Sequence, residues 1–280
     1  MPGELDPLYV AARGVLLDAL EALGPQRDAV ILVGAQAIYL YTGAIELPIA
    51  EHTIDADVTL DPGLLKQTPE IESALTTAGF RRGCRVGAWV TTRQVSGVAV
   101  NIDLDLMVPE AAAGPGRRAA RLAGHAKEIA RKARGLEAAL VDKNVMTLSA
   151  LDTSDRRTFA VAVAGPAALL VSKLHKIGER LAEREHRRLD DKDALDLLRL
   201  LQAIPTSDLV RSFRQLSEHA VARDVTREAL KALDDLFANA QRPGAQMAER
   251  AAGPFSPPTQ IAESCAILTA DLLRALEGAA

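Results

Sequence analysis

Aromatic residues are scarce in this chain of 280 residues: one Trp, three Tyr and five Phe, or 3%. A core must therefore be built from Leu, Ala and Val, and a surface that stacks successive bases on aromatic rings is excluded as the main design. Cysteine is equally rare. Cys84 and Cys265 lie far apart without metal-ligand spacing, which excludes a disulfide framework and leads us to expect a reduced, cytoplasmic protein. No apolar run approaches the roughly 18 residues of a transmembrane helix, and the opening MPGELDPLYVAARG carries no signal-peptide run, so no membrane association is expected. The five histidines, at 52, 125, 175, 186 and 219, do not cluster as zinc ligands would. A formal charge of −4 gives no global pull toward nucleic acid, so any such contact needs a local patch.

What is present divides the chain in two. The N-terminal half mixes helical and strand periodicities. Apolar residues at 8, 11, 12, 15, 16, 19, 20 and 23 have helical spacing, ended by Gly24-Pro25. Ala29–Val33 is an apolar run that predicts a buried strand; Ala35–Tyr41 follows as a short helix stopped by Thr42-Gly43, and 44–53 reads as loop. Ile54–Leu60 alternates with period two, and so does the stretch from Val98 to Val108. Pro69–Ala78 predicts a helix, Phe80–Val108 a set of strands broken at Gly83, Gly87 and Gly97, and Phe159–Val163 a last strand before Gly165-Pro166. After Pro166, which suits a first helical position, the chain is helical. Leu170, Leu174, Ile177 and Leu181 form a core stripe; Asp190 or Asp191 can cap the next helix, and further helices fit 207–220, 226–240 and 259–277, separated by breaks at Pro243-Gly244 and at Pro254–Pro258. The expected architecture is α/β (α+β): a mixed sheet flanked by helices over 1–165, then a helical domain over 166–280.

The chemistry-bearing residues gather in the first half. Gly34 sits between a strand and a helix, where unpaired N–H groups and the positive end of the helix dipole favour a phosphate; equally, a glycine there eases a tight turn. Asp55 and Asp57 are two apart on a strand, so their carboxylates point the same way about 7 Å apart and can share divalent metal; equally, they can be a solvated polar face. Asp103 and Asp105 repeat the pattern on an otherwise apolar strand, where neighbouring like charges are costly unless neutralised. If the two strands pair, three carboxylates converge, the arrangement that two-metal phosphoryl chemistry requires.

A glycine turn, helix and loop, followed by Thr53-x-Asp55-x-Asp57 and a further Asp on a later strand, resembles the nucleotidyltransferase superfamily of the DNA polymerase β type. Within it the likeness is to the AbiEii group, which includes toxins of type IV and related toxin–antitoxin systems. Two C-terminal signatures of that group are recognisable: Lys173-Leu174 through Arg180 on one helix, and Asp193-x-x-Asp196 on the next. Residues seven apart on a helix differ by about 20° in direction, so Lys173 and Arg180 share a face, with Lys176 and Arg184 near the same stripe.

The resemblance, covering roughly residues 28–202, implies a nucleotidyltransferase using Mg²⁺ and an NTP. Asp55, Asp57 and Asp105 would be the metal ligands, with Asp103 the alternative to Asp105. Gly34, Ala35, Thr53, Lys173 and Arg180 would hold the nucleotide, and Asp193 would orient Lys173 or act as general base. It implies a tRNA or protein acceptor and a cognate antitoxin; a small-molecule acceptor, or a decayed nucleotide-binding module, are the alternatives. The sequence departs from the family pattern at Ala35, where a second glycine or a serine is usual, and at Glu51, where a basic residue is common. Residues 117–134 hold seven Lys or Arg against one acid, Glu128, with a pattern that fits either a helix running on through Leu140 or an irregular segment; they are the candidate contact for an RNA backbone, or else a solvated basic surface.

Overall fold

The structure, a computed structural model, describes residues 5–43, 53–182, 191–253 and 260–278. The expectations for the 44–53 loop up to His52, for Glu51, for Arg184, for Asp190 and for Pro254–Pro258 lie outside the described residues. The chain divides into two compact units. The first comprises Met1–Ala37, Ala50–Ala133 and Lys143–Ala164; the second comprises Ile38–Ile49, Arg134–Asp142 and Gly165–Ala280.

The first unit is a mixed, open sheet with helices packed on it. Its strands are β1 (Val30–Val33), β2 (Asp55–Leu60), β3 (Arg81–Arg82), β4 (Ala88–Val95), β5 (Val98–Pro109), β6 (Arg131–Ala133), β7 (Lys143–Ser149) and β8 (Thr158–Ala164). They run in the order β3-β4-β5-β2-β1-β8-β7. β1 is antiparallel to β2 and parallel to β8, and all four of its residues are buried, as the unbroken apolar run requires of a central strand. β4 and β5 form a hairpin through Ser96 and Gly97, both with positive φ, the turn that matches strand twist. β4 stops pairing at Asp105, and β6 continues the same edge of β5 from Met107 to Pro109.

Period-two alternation decides which face of the sheet is core. Ala56, Val58 and Leu60 of β2 and Ile102, Leu104 and Leu106 of β5 are almost fully buried. Helix α1 (Pro7–Ala22) packs on these strands with Val15, Leu16, Leu17 and Leu20 buried, and Asp6 caps its start by accepting the Leu8 N–H. The opposite face carries the aspartates. Helix α3 (Ile71–Thr77) packs against α1, and α2 (Gly34–Thr42) leaves β1 directly. The basic segment 117–134 is not a helix: it is a run of turns that includes β6, with Gly124 and Glu128 at positive φ.

The second unit is helical: α4 (Glu137–Val141), α5 (Pro166–Ala182), α6 (Lys192–Ala203), α7 (Thr206–Glu218), α8 (Arg223–Phe237), α9 (Pro243–Ala252) and α10 (Gln260–Glu277). Leu170, Leu174 and Ile177 of α5 are fully buried and Leu181 is half-buried, and the core continues through Leu198, Phe213, Leu233, Phe237 and Leu272. The start of α5 is satisfied from a distance: the buried Asp142 carboxylate accepts the Ala168 N–H at 3.0 Å. Gly165 allows the approach, since a Cβ there would meet Asp142 Oδ1 at 2.0 Å. Burial holds the Asp142 carboxyl above its ordinary value, against the pull of the Ala168 and Ala167 N–H groups. Asp142→Ala is expected to cost about 1–2 kcal/mol, the range for a lost helix cap, read as a lower urea midpoint with unchanged slope.

Candidate functional site

The acidic strands are neighbours. β2 pairs with β5 in parallel, with Asp55 beside Asp103, Ala56 beside Leu104 and Asp57 beside Asp105. Side chains at paired positions of parallel strands project to the same face about 4.8 Å apart, so the register gathers four carboxylate positions on one patch of sheet. Asp55, Asp57 and Asp103 are half-buried, while Asp105 is buried.

Each acid has a distinct environment. The Thr53 hydroxyl, fully buried, donates to Asp55 Oδ1 at 2.5 Å, fixing that carboxylate at the start of β2. Arg85 reaches Asp103 at 3.3 Å and Asp105 at 3.6 Å, and Arg131 of β6 lies 3.8 Å from Asp105. Burial pushes the Asp105 carboxyl above its ordinary value; Arg131 and Arg85 oppose that, and the negative charges of Asp55 and Asp103 add to it. Asp105 therefore keeps a proton to higher pH than an isolated carboxylate, as expected of one member of a crowded acidic set.

Gly34 adjoins this patch. It is the first residue of α2, has φ of +72°, and a Cβ built on it would lie 2.1 Å from Asp57 Oδ2. Both its backbone conformation and the space available demand glycine. Val33 is the β1 partner of Asp57, so the strand-to-helix turn and the second aspartate meet by register. Ala35, which follows Gly34 in the first turn of α2, is buried at 5% exposure.

The expected residues of the second unit also converge, on one another. Lys173 is 4% exposed, and its ammonium donates to Asp193 Oδ1 at 2.5 Å and to Asp196 Oδ2 at 2.8 Å. Arg180 pairs with the other oxygen of Asp193, and Lys176 stands 3.4 Å away. Burial alone would push Lys173 down; Asp193 and Asp196 overcome it and hold the ammonium well above its ordinary range. Asp193, raised by burial, is pulled well below the carboxylate range by Lys173, Lys176 and Arg180. Lys173 is thus committed to two aspartates, and the cations facing outward are Lys176 and Arg180, with side chains 40% and 29% exposed. The helical stripe announced the cations, and the acids that pair with them come from the next helix.

The residues of the acidic patch suit a hard divalent cation, since carboxylate oxygens are the donors that Mg²⁺ takes. Asp55, Asp57 and Asp105 are the residues that would hold it. Among the described residues no three His, Cys, Asp or Glu side chains are already gathered as a ligand set, the arginines sharing the carboxylates instead. Arg85 had no signal in the sequence, and Arg131 stood out only as part of the basic segment. Compared with models of known protein families and with curated proteins, the chain matches none.

Proposed function

We propose that the chain is a metal-dependent nucleotidyltransferase. The observation that carries this reading is the parallel register of β2 on β5, which sets Asp55 and Asp57 beside Asp103 and Asp105 next to a helix that begins at Gly34. An acidic patch against a helix N-terminus provides for both halves of a nucleotide–metal complex, carboxylates for the cation and backbone N–H groups for the phosphates. Asp55 and Asp57 would hold the cation from one strand, and Asp105, on the next, would complete the site on the acceptor side. The N–H groups of the first turn of α2 take phosphate oxygens. Mg²⁺, when bound, supplies Lewis-acid stabilisation of the phosphoryl charge and lowers the pKa of the attacking hydroxyl. In the reaction the acceptor oxygen bonds to the α-phosphorus, the bond to the bridging oxygen breaks, pyrophosphate leaves and the hydroxyl proton passes to a carboxylate or water.

The turns of 117–132 favour an RNA acceptor over a small molecule. Arg117, Arg118, Arg121 and Lys127 are exposed there, and the same segment ends in the strand that brings Arg131 to Asp105. Such a surface tracks a phosphate backbone and makes binding salt-sensitive. A second reading, a nucleotide-binding module without catalysis, is favoured by Arg85 and Arg131, which already occupy part of the acidic patch.

Incubation with α-labelled NTPs, Mg²⁺ and total RNA distinguishes the two. Label that appears on RNA and is abolished by EDTA supports transfer. Calorimetric NTP binding with no label on RNA, protein or small molecules supports the module, and absence of both sinks the nucleotide reading.

A further inference from the structure

We propose that Gln36 is a positioning residue that ties the phosphate turn to the carboxylate strand, with the buried guanidinium of Arg13 fixing which way its amide points. The role rests on the nucleotidyltransferase reading and names residues that neither the motif nor the resemblance contains.

Gln36 is the third residue of α2 and is 1% exposed. Its Nε2 donates to the backbone carbonyl of Asp55 at 3.0 Å, and its Oε1 accepts from Arg13 Nε at 2.8 Å. The pairing of β1 with β2 ends at Val33 and Asp57, so Asp55 lies beyond the end of β1. The Gln36 amide takes the place of the missing strand there, prolonging the ladder by a side chain. The first metal-binding carboxylate is therefore attached, through its own backbone, to the first turn of the helix that starts at Gly34.

An amide can be turned either way, and here its orientation is dictated. A guanidinium has donors only, so the atom facing Arg13 must be the oxygen, which leaves the NH₂ for Asp55. Arg13 is 3% exposed and is itself held on three sides. Its Nη1 donates to the Ser149 carbonyl at 3.0 Å and its Nη2 to the Tyr9 hydroxyl at 3.0 Å. With Nη1 and Nη2 anchored in this way, Nε is held at the Gln36 oxygen. The separation between the α2 N-terminus and the Asp55 carboxylate is the distance a metal-bound triphosphate must span, and slack of about 1 Å in such spacing is costly.

The test separates the two ends of the amide. Gln36→Glu keeps an acceptor for Arg13, now charge-assisted, and removes the donor to Asp55; Gln36→Met removes both. Mn²⁺ binding is measured by electron paramagnetic resonance on wild type, both variants and Asp57→Asn, all well below their melting temperatures, with melting followed in the absence of metal. We expect Gln36→Glu to melt close to wild type and yet bind Mn²⁺ about tenfold more weakly, the scale for loss of a group that orients a metal ligand. Gln36→Met should lose at least as much affinity and melt lower. Wild-type Mn²⁺ affinity in both Gln36 variants overturns the positioning role. Absence of Mn²⁺ binding in the wild type, or binding unaffected by Asp57→Asn, overturns instead the functional reading on which the role depends.

Discussion

Asp57→Asn is expected to reduce nucleotide transfer by about a thousandfold or more while leaving the protein folded. Asparagine has the shape of aspartate and keeps one oxygen, so the close seat beside Gly34 and the register with Asp105 are preserved. What is lost is the charge proposed to bind the cation, and a stabilisation of several kcal/mol in the transition state corresponds to about three powers of ten in rate. Stability should stay level or rise, because Asp57 belongs to a set of like charges whose mutual repulsion the substitution relieves. Labelled transfer and thermal melting on the same preparation check both halves. Transfer at the wild-type rate would remove the acidic patch from the chemistry; loss of transfer together with collapse of the melt would say only that Asp57 is structural. If the chain acts as a toxin, as its resemblance implies, growth inhibition on expression should vanish with the same substitution.

The second large effect is in the helical unit. Lys173→Met removes the cation between two aspartates that are 3% and 1% exposed, leaving Asp193 with Lys176 and Arg180 and Asp196 without its ammonium partner. Removing one side of a buried ion pair costs about 3–5 kcal/mol, and the partly exposed neighbours bring this toward the lower figure. Against a total of roughly 5–15 kcal/mol for a folded protein, that is a severe loss. A urea titration followed by circular dichroism measures it, and Asp196→Asn added to Lys173→Met should recover part of the stability.

The pH dependence of this cluster has two signs. Asp193 is held below its ordinary value of 3.8, so its contribution is present above that pH and is lost as pH falls through the lower folded value. Lys173 is held above its ordinary 10.5, so its contribution is complete below that pH and is lost only on strong alkalinisation. A Lys173→Met protein with the wild-type urea midpoint and no transfer would support a phosphate-ligand role for Lys173.

The strands and helices around the acidic residues were legible in the sequence, while their associations were not. Alternation in 54–60 and 98–108 gave β2 and β5 and put the aspartates on the polar face, because period two follows from the geometry of a strand. That the two strands lie side by side in parallel could only be posed as a condition, since β3 and β4 intervene and no local pattern encodes a long-range register. Helix α9 was missed because Pro243-Gly244 read as a break, whereas the proline occupies the start of the helix, where it lacks nothing the helix needs. Residues 117–134 left helix and irregular backbone undecided; the charges give no period, and the residues with positive φ resolve it as turns. The resemblance couples Asp193 to Lys173, but burial of that ammonium between Asp193 and Asp196 has no local signal, because a helical stripe shows what shares a face and not what is packed against it. Gln36 and Arg13 carried no signal: a buried amide and a buried guanidinium are unremarkable letters until a fold brings them to one carbonyl.

The pairing of β2 with β5 has a consequence for assembly. The Thr59 hydroxyl meets the Met107 carbonyl across 48 residues of chain, and the acids beside them are separated to the same degree. A chain that has formed only its short-range hairpins holds Asp55 and Asp57 apart from Asp103 and Asp105. It neither suffers their repulsion nor presents their charges together. The acidic patch comes into being only when this distant closure is made, so an incompletely folded copy lacks it, and a ligand of the patch would stabilise the finished sheet alone.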